Sequence, residues 1–477
     1  MALNDYFIEK LNKAFPFKPT QDQSKLFEHL AKFISISEPT NTDYSDILII
    51  NGYAGTGKTS AISALVQVLE IVDRPYKLLA PTGRSAKVLS GYAGKSAHTI
   101  HKQIYRQKSV LVGNFVLAPN KLTDCIIIVD EVSLITTLSG DNTFGSGNLL
   151  EDLIMYVRQG KRNKLILMGD SGQLPPIGLE RSPALDINEM TFYGNCDYCE
   201  LKAVVRQSQE SGILYNATVL RFMQLAKSIG DSANSLALPK FDFESFPDIE
   251  KITGNELIEC INDAYERYGE EDTVILCRSN KRANRYNAGI RATVLFREEQ
   301  LTSGDRLMVV KNCYQFLDKI PELDFIANGD VAELLSIKNH EDRYGLHYAD
   351  ARLRFPDYKD VEIDAKVILD TLTSERASLD QTQYKALWDG INKDYAHITT
   401  KSKRYKSIRE DKYYNALQIK FSYAVTGHKS QGGQWKAVFI DNPFWKPDVT
   451  IDEIKWFYTA ITRAIQKVYL VNFPNEI

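Results

Sequence analysis

Apolar and polar positions along the 477 residues follow two periods that replace one another repeatedly. Ile47-Leu48-Ile49-Ile50 is a short continuous apolar run, fit for a strand buried on both faces, and Ala61-Ile62-Ser63-Ala64-Leu65-Val66 follows with the spacing of a helix. The exchange recurs: Tyr76 to Ala80 reads as a strand stopped by Pro81-Thr82, and Gly83 to Leu89 opens a helix. Cys125 to Val129 and Lys164 to Met168 are two more buried-strand candidates. Upstream, Leu26, Leu30, Phe33 and Ile34 form a helical stripe with Thr20 or Asp22 as its cap. Strands alternating with helices predict a parallel sheet that binds ligands at the carboxyl ends of its strands.

A second round begins at Asp272 to Cys277, a strand followed by a polar turn and a helix through Ala283, Tyr286, Asn287 and Ile290. Ala437 to Asp441 and Lys467 to Val471 are expected to close this sheet around a helix from Ile454 to Ala464. Two stretches break the alternation. Between Thr99 and Leu122, the β-rich runs Ser109 to Val112 and Phe115 to Leu117 flank Gly113-Asn114, which predicts an inserted hairpin. From Asp305 to about Asp370, β-branched and aromatic runs alternate with turn signals such as Asn328-Gly329-Asp330, which predicts a small barrel-like insert. Thr371 to Tyr414 is polar and helical, ending in Lys401, Lys403, Arg404, Lys406, Arg409 and Lys412 among Tyr405, Tyr413 and Tyr414. Such a charge run is commonly a solvated face.

Composition narrows the class. The length exceeds one ordinary domain, and 44% hydrophobic with 25% charged residues is a normal globular mixture. A net charge of −3 provides no overall basic field, so any nucleic-acid contact must come from a local basic channel. The six cysteines are scattered as in a reduced intracellular protein. Cys196 and Cys199 form the sole CxxC, with no second pair or nearby histidine to complete a zinc site. The segment from Met1 to Phe17 mixes charges into its apolar residues and carries no signal-peptide core, and no apolar run reaches membrane-spanning length. A soluble, cytoplasmic protein is expected.

The chemistry is concentrated at the strand ends. Gly52-Tyr53-Ala54-Gly55-Thr56-Gly57-Lys58-Thr59 matches G-x-x-x-x-G-K-[ST] between a strand and a helix. In that setting backbone N–H groups and the helix N-terminus cradle phosphates, Lys58 meets the β/γ-phosphates of ATP, and Thr59 holds Mg²⁺. The strand at Cys125 to Val129 delivers Asp130 and Glu131, a Walker B pair in which Asp130 holds the same Mg²⁺ and Glu131 activates the attacking water. Gly169-Asp170-Ser171-Gly172-Gln173 ends another strand, and the Gln173 amide is the candidate sensor of the γ-phosphate.

These motifs resemble, in order and over most of the chain, those of superfamily 1 helicases of the RecD-like and Dda-like branch. The phosphate loop, Asp130-Glu131-Val132-Ser133 and Gly169 to Pro176 are similar to helicase motifs I, II and III. Ala80 to Ala86 resembles motif Ia, which in that family grips single-stranded DNA. Thr20-Gln21-Asp22-Gln23 resembles the Q motif; its spacing favours Gln23 as the adenine reader, with Gln21 the alternative. Thr426 to Gly432 and Tyr458 to Ala464 resemble motifs V and VI. The resemblance implies that Arg463 is an arginine finger from a second motor domain, that Arg206 is another, and that Pro81, Thr82, Arg84, His98, Thr426, His428, Lys429 and Ser430 contact DNA. By position, the hairpin corresponds to a strand-separating pin with Val112, Gly113, Asn114 and Phe115 near its tip, and the β-rich insert to an SH3-like domain.

The implied fold is α/β, with two RecA-like P-loop motor domains, a small β-hairpin insert in the first and an SH3-like β-rich insert in the second. The expected division is 1–215 for the first motor, with its insert at about 99–122. The second motor takes 216–304 and 421–477, and the inserted domain with its helical basic arm takes 305–420. The implied activity is ATP- and Mg²⁺-dependent unwinding of DNA in replication, repair or recombination, by 5′ to 3′ movement on single strands. The implied partners are single-stranded DNA and single-strand/duplex junctions, engaged by a monomer, with no membrane. An ATP-switched single-strand clamp without productive unwinding is the rival reading. A metabolic P-loop kinase would need neither motif V nor motif VI.

Overall fold

A computed structural model describes residues 3–36, 44–107, 115–137, 145–203, 211–230, 236–237, 241–313, 315–316, 326–444 and 448–474. The predicted apolar runs become strands whose every residue is buried: β1 (Ile47–Gly52) and, after β2 (Tyr76–Ala80), β3 (Ala97–Thr99), β4 (Tyr105–Gln107) and β5 (Phe115–Leu117), the strands β6 (Ile126–Val129) and β7 (Lys164–Gly169). With β8 (Cys196–Leu201) they form a parallel sheet in the order β3-β2-β6-β7-β1-β8. Side chains on its two faces enter separate apolar cores. Leu48, Ile50, Ile126 and Ile128 meet helices Leu3–Ala14, Gln21–Ser35 and Lys58–Ile71, while Ile47, Ile49, Ile127 and Val129 meet helix Leu149–Gln159. Continuous apolar sequence is what two covered faces require.

β4 and β5 pair antiparallel, with Tyr105 opposite Leu117 and Gln107 opposite Phe115. The described stem therefore uses a strand before Ser109, and the predicted run through Val112, with Gly113 and Asn114, lies outside the described residues. Phe115, expected near the tip, is corrected to a core residue: it is 8% exposed and packs with Ile104, Tyr105 and Ile135. The ring's apolar area outweighed the turn signal beside it.

Beyond β9 (Leu236–Ala237), a second parallel sheet begins with β10 (Ile249–Ile252) and β11 (Thr273–Cys277). The chain then leaves for a closed barrel of β12 (Arg306–Val309), β13 (Val331–Arg343), β14 (Leu346–Phe355), β15 (Val361–Ile368) and β16 (Leu417–Phe421). Helices Gln381–Asp394 and Lys401–Glu410 are threaded between its last two strands. It returns as β17 (Ala424–Thr426), β18 (Trp435–Asp441), β19 (Asp448–Val449, paired with β9) and β20 (Ala464–Val471) to give the order β10-β20-β18-β11-β17. Asp305, fully buried where the chain enters the barrel, accepts from Arg291, Arg297 and the Tyr423 hydroxyl. One carboxylate thus ties the outgoing and returning crossings together, which fixes the barrel to the second sheet.

The helix expected over Ile454 to Ala464 runs Ile451–Ile461, and Ala464 opens β20. Its start is set by a capping box, the Thr450 hydroxyl accepting from the Glu453 N–H while Glu453 accepts from the Thr450 N–H. The T-x-x-E signal was present in the sequence ahead of the apolar stripe.

Candidate nucleotide site between two parallel sheets

Helix Lys58–Ile71 starts directly after the phosphate loop because Gly57, at φ +82, takes a left-handed turn that a side chain would resist. Lys58 folds back over the loop, its Nζ donating to the carbonyls of Gly52 and Tyr53. Gln23 is 1% exposed and stands beneath the loop: its Nε2 donates to the Thr56 carbonyl at 2.9 Å and its Oε1 accepts from the Thr20 N–H at 2.9 Å. Its visible part is to brace the loop and to cap its own helix, whereas Gln21 is exposed. Gly52, Gly55, Thr56 and Thr59 lie within the same strand-to-helix turn.

Asp130 and Glu131 leave the end of β6 beside this loop. The Asp130 carboxyl is held above the usual carboxylate range by burial first and by the neighbouring Glu131 charge second, with Lys58 and Arg463 opposing. Glu131 is held at φ +54, a left-handed conformation unusual for a glutamate. Its Oε2, the Ser133 hydroxyl oxygen and the Gln173 Oε1 are all buried without a hydrogen-bond partner in the structure. A buried polar atom left unpaired costs about 1–3 kcal/mol, so three of them in the turns that follow β6 and β7 mark a place built for a polar ligand. These atoms and the half-buried Asp130 fit a triphosphate, its Mg²⁺ and a water. Thr59 and Asp130 would hold the metal, which when bound supplies charge neutralisation at the phosphates. Ser133, Gln173 and Asp170 line a cavity of about 310 Å³ that also meets Lys455 of the second unit.

The second sheet contributes to the site through helix Ile451–Ile461 and the turn after it. Arg463, 3% exposed, lies with Nη1 3.9 Å from Glu131 Oε1. It is aimed by its own unit: Nε donates to the Thr459 carbonyl at 3.1 Å and Nη1 to the Gly433 carbonyl at 3.3 Å. Tyr458, 1% exposed, donates its hydroxyl to Asp170 Oδ2 at 2.7 Å and accepts the Ala54 N–H of the phosphate loop at 2.9 Å. The Leu174 N–H donates to Thr459 Oγ1 at 2.8 Å, and Gln431 Nε2 donates to the Leu174 carbonyl at 2.6 Å. Tyr53 and Leu174 of the first unit share one buried cluster with Trp456, Phe457 and Tyr458. Arg206 lies outside the described residues.

The residues expected on the strand occupy the facing ends of β2 and β17. Pro81 and Thr82 end β2, and the Thr82 hydroxyl caps the next helix by accepting from the Ser85 N–H at 3.2 Å. His98 pairs in β3 opposite Leu79. Gly432, at φ +73, packs so closely on Ser85 and Thr82 that a Cβ would stand 3.0 Å from Ser85 Oγ. Thr426, His428 and Lys429 are half-buried in and before helix Gly427–Ser430, where burial lowers the His428 pKa. Two of these residues have partners within the protein. Ser430 is fully buried and donates to the Gly427 carbonyl at 2.8 Å, closing its own short helix. Arg84 stacks on Trp435, 4.0 Å from the ring centroid, and donates to the Gln434 carbonyl at 3.0 Å, so it joins the two units.

Sequence reading gave no individual role to Asn51, Asp170, Tyr458, Thr459 or Gln431. Asn51 donates to Ser171 Oγ and to the Tyr198 hydroxyl and accepts the Ser171 N–H, locking the ends of β1, β7 and β8 together. A polar Asn ending an otherwise apolar strand was its only advance signal. Cys196 and Cys199 both lie in β8, opposite Ile47 and Ile50 of β1. Among the described residues no helix is long and apolar enough to cross a membrane.

The AAA domain family matches residues 37–221, and the UvrD-like helicase C-terminal domain family matches residues 421–471. The first range holds the phosphate loop and Asp130-Glu131, and the second holds Arg463. The two matched ranges agree with the superfamily 1 helicase resemblance carried by the motifs. The chain is similar to the ATP-dependent RecD2 DNA helicase of Deinococcus radiodurans, 32% identical over 28% of this chain and 16% of that protein. An uncharacterized protein of Methanocaldococcus jannaschii is 24% identical over 89% of this chain and 36% of its own length. The chain thus spans well under half the length of either relative. A solved Pif1 helicase from Bacteroides, in complex with ADP-AlF3 and ssDNA, is 14% identical with a TM-score of 0.44, covering 96% of this chain and 94% of that one.

The Tyr458 bridge carries a first prediction. Tyr458→Phe keeps the ring but leaves the buried Asp170 oxygen and the half-buried Ala54 N–H each short of a partner, at up to about 1–3 kcal/mol apiece. Since about 1.4 kcal/mol is tenfold in an equilibrium, we expect kcat for ATP to fall by about tenfold or more through a less populated closed arrangement. Nucleotide affinity should change much less, because the triphosphate cradle belongs to the first unit alone. Steady-state kinetics with a separate nucleotide-binding titration checks the split.

Proposed function

We propose that the chain is an ATP-hydrolysing motor that moves 5′ to 3′ on single-stranded DNA and separates duplexes at single-strand junctions, with Mg²⁺ bound at Thr59 and Asp130. One observation carries the proposal: Arg463, Tyr458 and Thr459 of the second unit reach Glu131, Asp170 and Leu174 of the first. A site completed across two units changes when they separate, so each hydrolysis cycle is coupled to opening and closing of the cleft. Thr82 and Gly432, on the expected strand-contact segments, meet across the same cleft, so closure also alters the grip on a strand. Similarity to an ATP-dependent DNA helicase supports the substrate class. Polarity rests on the branch resemblance, and action as a monomer in replication, repair or recombination belongs to the same proposal.

Strand displacement on 5′-tailed and 3′-tailed duplexes tests it. Displacement of the 5′-tailed substrate alone is expected. ATPase stimulated by single strands without displacement of either would establish the clamp instead. The β4–β5 stem supports a pin at the fork, and since Phe115 belongs to the core the test is to shorten residues 108–114 alone. The ratio of unwinding rate to ATPase rate is expected to collapse, because a wedge is needed neither for hydrolysis nor for stepping along a strand already single. An unchanged ratio would make the hairpin ornamental.

A further inference from the structure

Buried arginines in this fold face carboxylates: Arg291 and Arg297 share Asp305, and Arg463 faces Glu131. Arg221 does not. It is 6% exposed on helix Gly212–Gly230 and makes no ion pair among the described residues. That helix belongs to the second unit, since its Ala217 and Leu220 share one core with Val274 and Val468 of the second sheet. The guanidinium nevertheless reaches the first unit at two points. It lies 4.8 Å from the ring centroid of Tyr53, the second residue of the phosphate loop, and Nη1 donates to the Lys202 carbonyl at 2.7 Å, just past β8.

Tyr53 is 6% exposed, so water is kept from the contact, and a desolvated guanidinium is drawn to a ring face more strongly than an exposed one. The Phe222 ring, 5.1 Å away, is exposed and offers the weaker face, while Nε is buried with no acceptor. Both contacts bear on the cradle. The Tyr53 carbonyl accepts from Lys58 Nζ at 3.0 Å and from the Thr56 hydroxyl at 2.7 Å. The N–H groups of Lys202 and Ala203 both donate to Asp22 Oδ2 at 2.9 Å, one residue before the Gln23 that braces Thr56. Gln224, one turn along the same helix, donates to the Gly172 carbonyl at 3.1 Å. Gly172 in turn packs on Tyr53: a Cβ there would stand 3.3 Å from the Tyr53 ring and 3.1 Å from Tyr458.

We propose that Arg221 is a positioning residue for ATP turnover, clasping the Tyr53 ring from the second unit and so setting the phosphate loop in the shape that the closed cleft requires. The inference rests on the motor reading given above and adds to it a residue outside every motif seen in the sequence. Arg463 acts on the reacting groups. Arg221 acts on the backbone that holds them, because a shift of the Tyr53 ring moves the carbonyl on which Lys58 and Thr56 rest. Separation of the units withdraws the guanidinium and frees the loop, so closure and cradle geometry change together.

A double-mutant cycle on kcat tests the clasp, using Arg221→Met, Tyr53→Leu and the pair with oligothymidylate present, alongside KM for ATP and thermal unfolding. Each single variant is expected to lose about tenfold in kcat, the scale of a desolvated cation–π contact. The pair should lose little more than the worse single, because both changes remove the same contact. KM in Arg221→Met should move less than kcat. Arg221→Lys restores a cation at nearly the length of methionine and should recover part of the rate, which packing alone would not give. Losses that multiply in the pair, to about a hundredfold, would overturn the proposal, and so would a kcat in Arg221→Lys no higher than in Arg221→Met. A lower unfolding temperature in Arg221→Met with normal turnover would overturn it too, making Arg221 a brace for its own helix. Should Arg221→Met not fold, Arg221→Gln replaces it in the cycle. A wild-type chain without ATPase would defeat the motor reading and the clasp together; wild-type turnover with multiplying losses defeats the clasp alone.

Discussion

Glu131→Gln is expected to bind ATP and Mg²⁺ as the wild type does and to turn over about 10²–10⁴-fold more slowly, the range for losing a positioned general base. The geometry sets that expectation. The left-handed backbone at φ +54 turns Glu131 out of line with its strand, and Oε2 lies buried with no protein partner. Glutamine keeps the volume and one carbonyl oxygen but cannot take a proton from water. Asp130, its neighbour and the proposed metal ligand, is left unchanged. Lys58→Ala should give the opposite pattern, weakening nucleotide binding itself, since the amine that now rests on the Gly52 and Tyr53 carbonyls is the charge aimed into the cradle. Single-turnover hydrolysis paired with a nucleotide-binding titration separates the two. Normal turnover in Glu131→Gln would remove it from the role of water activation.

Arg463→Ala is expected to lower kcat by about 10³-fold or more, the typical loss for an arginine finger, while single-strand affinity stays near the wild-type value. The guanidinium is buried, aimed by the Thr459 and Gly433 carbonyls, and points at Glu131 from the far side of the cleft. It therefore adds charge only where the two units meet, and the first unit alone retains the phosphate cradle. Arg463→Lys should not restore the rate, because a point charge lacks the planar fork those two carbonyls hold. ATPase kinetics and strand-binding isotherms on the same preparations decide the matter. Intact turnover with lost strand binding would place Arg463 on the DNA.

Strands β1, β2, β6, β7, β11, β18 and β20, the phosphate loop, Asp130-Glu131 and the barrel-like insert were legible in the sequence, because each is a local pattern, whereas β3, β8, β10 and β17 were not read as strands. Continuous apolar runs identify strands covered on two faces, glycines at fixed spacing mark a backbone that must wrap phosphate, and turn residues every few positions mark a small barrel. The capping box at Thr450–Glu453 was equally local, and reading it would have moved the helix start to Ile451. What is not local was lost. That Tyr458 reaches Ala54 and Asp170, that Arg84 faces Trp435, and that Arg221 lies over Tyr53 are matters of which elements meet after two sheets and a barrel have packed. The same serine and phenylalanine types serve strand contact or core, and only burial decided that Ser430 closes its own helix and that Phe115 fills the first core. Sequence by itself determined the elements and the chemistry at their ends, since those depend on neighbours a few residues away. Tertiary structure alone decided which chemistry converges, since desolvation and charge pairing act across space between residues up to four hundred positions apart.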